Sequence, residues 1–128
     1  MTASISDNIL DIALNAIRAN TTAVLACSSE PTDRASALAS ALAIMSWPSV
    51  YGAEAFGAPE AAEGGREIIS TYSVADPTSA GVITHWAVIS TDDLLAHGPL
   101  ADPHPVDPVA APGLGICFES ISIMMPNH

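Results

Sequence analysis

The residues with most chemical reach in this chain are its histidines, its two cysteines and a short run of carboxylates. His97 and His104 stand seven positions apart, with Pro99 and Pro103 between them. A zinc site needs several Cys or His ligands at set spacings, such as Cys-x-x-Cys or His-Glu-x-x-His, and neither pattern occurs here. The reading is therefore a strand residue for His97 and a solvated loop residue for His104. His85 lies next to Trp86 inside an apolar run. Alternation places Ile83, His85, Ala87 and Ile89 on one face, and Val82, Thr84, Trp86 and Val88 on the other. A catalytic histidine requires an acid partner and a nucleophile within reach. No Gly-x-Ser-x-Gly elbow supplies one, so His85 and Trp86 are read as a packing pair. Glu60, Glu63 and Glu67 flank Arg66. Paired carboxylates can transfer protons or hold calcium, but their spacing matches no calcium loop, and a solvated acidic loop is expected. Gly64-Gly65 is followed by no lysine and no helix signal, which removes a phosphate loop. Cys27 and Cys117 sit in apolar strand sequences, at the first and last strands, and are expected as two buried thiols. These residues point to no catalytic centre, no metal and no cofactor.

The elements that position them read as follows. Ser6 and Asp7 are N-cap candidates for a helix over 6–19. Ile9, Ile12, Ala13, Ala16 and Ile17 form an apolar stripe on it, widened by Leu10 and Leu14. The polar row Asn8, Asp11, Asn15, Arg18 is narrow for a surface helix, so this helix is expected to be covered on more than one side, either within its own fold or against a neighbour. Thr21 to Ser28 reads as a first strand. Asp33 caps a second short helix over 34–46, with Ala37, Leu38, Ala41, Leu42 and Met45 on one face and Pro48 as its stop. From Ser49 to Gly65 an irregular connection is expected, closed by a turn at Gly64-Gly65. Arg66 to Val74 and Gly81 to Thr91 read as strands. Leu94 to Leu100 follows the second of these across Asp92-Asp93, as an antiparallel hairpin. Asp102 to Gly113 carries Pro103, Pro105, Pro108 and Pro112 and is expected as an extended arm or edge excursion. Leu114 to Met125 is the last strand. Its apolar residues change parity between Phe118 and Ile121, which calls for a bulge or bend near Glu119-Ser120. No internal repeat or heptad run stands out.

Length and composition fit a single domain over 1–128 with one core. Hydrophobic residues make up 49 % and charged residues 13 %, against roughly 25 % charged in an average domain. Three arginines, Arg18, Arg34 and Arg66, face 14 carboxylates, with no lysine and a net charge of −11. Nucleic-acid binding depends on neutralising phosphates with Lys and Arg, so direct binding to DNA or RNA is not expected. The start MTASISDNIL has neither the charge nor the apolar core of a signal peptide. The longest uncharged run, Ala35 to Ala53, is rich in small residues and broken by Pro48, and so falls short of a membrane span. Synthesis in the cytoplasm and no membrane association are expected.

Several of these pieces occur in a familiar order. A helix ends Ile-Arg-Ala-Asn-Thr-Thr and leads into AVLACSSEPT; Gly65-Arg66 enters a strand; then come Ile-Thr-His-Trp-Ala-Val (83–88) and Leu-Leu-Ala-His-Gly-Pro-Leu (94–100). This order resembles small tailed-phage virion proteins, similar to the Gp80-like phage protein family, over nearly the whole chain. The 102–113 proline segment and 35–56 depart from it. The resemblance implies a β-sandwich and a structural part of a virion, and it supplies no catalytic residues.

The sequence thus predicts a mainly β protein: an antiparallel β-sandwich, immunoglobulin- or jelly-roll-like, from 21–28 and 66–125, behind one N-terminal helix. The function expected is non-enzymatic, a capsid decoration or cement protein on the major capsid protein or other virion structural proteins, as a homo-oligomer. The alternatives are a tail, head–tail connector or baseplate component, or a host-attachment carbohydrate-binding sandwich using Trp47, Trp86 or Tyr51. The interface residues expected are Ile9, Ile12, Ile17, Trp86, Pro103, Pro105 and Pro108.

Overall fold

The computed structural model describes residues 4–46, 56–70, 74–75, 78–107, 116–117 and 121–126. The first helix, α1, spans Asp7–Asn20, with Ser6 in extended conformation as its cap and accepting from the Ile9 N–H. Its buried residues are Leu10 and Leu14, with Ile17 half-buried beside them. Ile9 and Ile12, part of the expected apolar stripe, lie on the outer side. Both sides of this helix are apolar, so periodicity alone could not choose between them.

A short strand, β1 (Ala23–Cys27), is buried at all five positions. The reason is its place in the four-stranded sheet, whose order is β2 (Ala41–Ser46), β1, β6 (Gly81–Ile89), β7 (Leu94–Val106), antiparallel throughout. Alternate residues of an interior strand point to opposite faces, and here both faces are covered. Ala23, Leu25 and Cys27 join Ala87 and Ile89 beneath Ala37 of the second helix, α2 (Arg34–Ser40). Val24 and Ala26 face a second sheet.

That second sheet has the order β3 (Glu60–Ala62), β4 (Gly65–Ile69), β9 (Ser122–Pro126). Ile68 and Ile121 meet Val24, Ile83 and Val88 from the first sheet, and Phe56 and Leu14 of α1 close the same core. A two-stranded ladder pairs β5 (Val74–Ala75) with β8 (Ile116–Cys117). The architecture is a small, mainly β, sandwich-like fold with one N-terminal helix and a second short one. The 81–100 hairpin is antiparallel as expected.

Several boundaries depart from expectation. The second helix stops at Ser40, whose hydroxyl bonds back to the Ser36 and Ala37 carbonyls, and Ala41–Ser46 is a strand. Its alanines and leucine suit a helix locally, but laying them beside β1 satisfies the backbone of the buried central strand, and that tertiary gain overrides propensity. The 49–65 connection contains β3 and the buried Phe56; its turn is Glu63-Gly64, with Gly64 at φ 77°, while Gly65 already pairs with Pro126. Strand β7 continues through Val106, so the first part of the expected arm is an edge strand in which Pro105 lies opposite Val82. Prolines are tolerated there because an edge leaves one side of the ladder unused. Between Ile83 and His85 the pairing on β7 jumps from His104 to Pro99. That large bulge turns Ile83 toward the same core as Trp86 and Val88, against simple alternation. The expected bend at 119–120 lies outside the described residues; the strands flanking it, β8 and β9, belong to different ladders.

Candidate interaction surface

Among the described residues, the chemically capable ones do not converge. Cys27 and His85 are cross-strand partners on β1 and β6, which is the nearest approach to a catalytic pair. The Cys27 side chain, however, is fully buried and its thiol donates to the Ala37 carbonyl at 3.6 Å. Burial pushes this thiol up from its ordinary value, only partly countered by a hydrogen bond with Ser40. It is a neutral thiol, not a nucleophilic thiolate, and it is free of any disulfide; the side chain of Cys117 lies outside the described residues. Cys117 pairs with Val74 in the β5–β8 ladder, away from the neighbours of β1. His85 is half-buried, with Nδ1 at 2.8 Å from the Thr84 hydroxyl. His97 and His104 lie exposed on β7, on opposite sides of the large bulge.

The acidic cluster also separates. Glu60 and Glu67 sit opposite each other on β3 and β4, and Glu67 accepts from the Ser122 hydroxyl at 2.6 Å. Arg66, between them in sequence, instead reaches Asp11 on α1 through Nε at 2.8 Å and Nη2 at 3.2 Å. Among the described residues no three His, Cys, Asp or Glu side chains gather as a metal site. A shallow, open depression lies between Thr32–Leu38 and Asp92–Leu94. Its best-placed carboxylate, Asp33, is committed to capping α2: it accepts the Ser36 N–H at 2.7 Å, and that bond holds its carboxyl below the usual aspartate range.

All three cations serve the fold. Arg66 ties β4 to α1, Arg18 donates to the Phe56 carbonyl at 3.3 Å, and Arg34 donates to the Ser90 carbonyl at 3.0 Å. Each anchors one segment to another distant in sequence. Sequence reasoning missed the Arg66–Asp11 tie, because the neighbouring glutamates looked like the nearer partners.

What stands out instead is apolar surface. On the outer side of α1, Ile9 is 55 % and Ile12 58 % exposed, and Ile5, just before the cap, is 45 % exposed. Ala16 and Ala19 continue the same uncovered side. Of the expected interface residues, Ile9 and Ile12 lie free on the surface. Ile17 is half-buried against the core. Trp86 is half-buried too, its indole laid over Gly98 on β7 so closely that a Cβ there would come within 2.8 Å of the ring. Pro103 and Pro105 are exposed on β7, and Pro108 lies outside the described residues. No family model, curated protein or solved structure matches this chain. No described helix is long and apolar enough to cross a membrane.

Proposed function

We propose that this chain is a non-enzymatic structural subunit of a tailed-phage particle, first as a capsid decoration or cement protein on the major capsid protein, and second as a tail or head–tail connector component. The observation that carries a structural role is the outer face of α1. Two isoleucines more than half exposed on one helix form an apolar strip of the kind that marks protein contacts. With Arg18, Arg34 and Arg66 already bound to this chain's own atoms, apolar and backbone contacts are left to hold a partner, and the carboxylates meet cations that the partner brings. The phage assignment itself is supported by the sequence resemblance through Ile83–Val88 and Leu94–Leu100.

Quantitative mass spectrometry of purified particles tests the reading. Hundreds of copies per particle are expected for a shell protein, and a few tens for a tail or connector part. Absence of the chain from particles would overturn it.

A further inference from the structure

We infer that the outer face of α1 pairs with the same face of a second copy, the two helices running antiparallel about a two-fold axis. The inference rests on the reading of this face as a contact surface and adds that a second copy covers it, which leaves contact with other virion proteins to other surfaces, such as the exposed Pro103 and Pro105 of β7. The exposed apolar residues Ile9, Ile12, Ala16 and Ala19 are spaced 3, 4 and 3 apart, the a/d spacing of a helix–helix seam. The seam is too short to stand out as a heptad run, and shows only once burial has assigned Leu10 and Leu14 to the other side.

Two features select a second copy as the occupant. The first is the taper in side-chain size, isoleucine at positions 9 and 12 and alanine at 16 and 19. Two such helices side by side in the same direction would set large against large and leave a gap at the alanines. Reversed, Ile9 meets Ala19 of the other copy and Ile12 meets its Ala16, so the seam fills evenly. In a two-fold contact residue i touches j and j touches i, and this seam meets that condition. The second feature is charge. A chain of net charge −11 is repelled by its own copy over a surface studded with carboxylates. At about 100° per residue, Asp7, Asp11 and Arg18 all lie about 120° or more from the midline of the seam. The polar residues nearest its edges are Asn8, Asn15 and Asn20, all uncharged. Here two copies approach without opposing charges, and their helix dipoles oppose one another favourably.

The 14 residues of α1 span about 21 Å, so the contact is at the small end of specific interfaces, and a dimer that forms in the micromolar range is expected. Sedimentation of the full chain over a concentration series should show monomer and dimer exchanging. Added salt should favour the dimer, because it screens the repulsion between the two copies. Ile12→Glu should weaken it about tenfold or more by placing unpaired charges in the seam, with an unchanged melting profile at monomeric dilution. Orientation is read with thiols: a mixture of Ile9→Cys and Ala19→Cys chains should link under mild oxidation far more readily than either variant alone, with the unsubstituted chain as control. A chain that stays monomeric to high micromolar concentration, or Ile9→Cys linking to itself as readily as the mixture, overturns the inference. A dimer absent from phage particles defeats the functional reading and leaves this one standing; a monomer found in particles does the reverse.

Discussion

At the scale of single residues, several side chains that look reactive in the sequence are occupied in the fold. Cys27 is the clearest case, since it lies under α2 with its thiol bound to a carbonyl. Burial raises its pKa in the folded state, so the folded chain holds the proton more tightly than the unfolded one. The stabilising effect is complete below the ordinary thiol value of about 8.5 and is lost as pH rises through the folded value. Urea titrations at neutral and alkaline pH should therefore show a steeper alkaline loss for the unsubstituted chain than for Cys27→Ala. An equal loss in both would mean that Cys27 ionises freely. Trp86 and Gly98 show why register mattered for the site. They meet only because Leu95 is an extra residue in the ladder, between the Val88–Ala96 and Ile89–Leu94 pairs. A regular two-residue turn at Asp92-Asp93 would have placed Trp86 one position off.

At the scale of elements, α1 has two apolar sides with different work. Leu14→Ala removes a fully buried side chain and should cost about 2–5 kcal/mol. Ile12→Ala, on the outer side, should change monomer stability by no more than about 0.5 kcal/mol. Denaturant titrations of dilute protein separate the two, and similar losses would show that the outer face is covered within the monomer. The existence of α1 and the 81–100 hairpin were legible because a cap, a periodicity and a turn signal all agreed there. Which side of α1 is buried was not legible, because Leu10 and Leu14 differ too little from Ile9 and Ile12 in hydrophobicity. Asp33 announced α2 correctly through its cap. Nothing local marks Ser40 as the end, since Ala41–Met45 keeps helical spacing and becomes a strand only because β1 lies alongside. The candidate surface was legible in part: Ile9 and Ile12 were expected at an interface, Ala16 was grouped with them in one stripe, and Ala19 was assigned to no face.

At the scale of the whole molecule, β2 and β7 are the outer strands of the four-stranded sheet. On the β2 side, Thr78 binds the Leu42 carbonyl through both its N–H, at 2.7 Å, and its hydroxyl. On β7, Pro99, Pro103 and Pro105 remove backbone donors from the longest strand of the fold, a known defence against edge-to-edge pairing. Replacing the three prolines with threonine should leave the fold intact and increase aggregation, followed by light scattering at neutral pH. Unchanged solubility would indicate that the edge is protected by other means.

The position of β1 also sets the order in which the chain can become sound. Its neighbour β2 follows closely, but its other neighbour, β6, comes far later, with Ala23 opposite Ile89. Closing so long a loop before any reward from the pairing is slow. During synthesis, therefore, β1 cannot complete its ladder on both sides until Ile89 has left the ribosome. The first half of the chain is thus a fragment that lacks its own closure, which the 81–100 hairpin supplies.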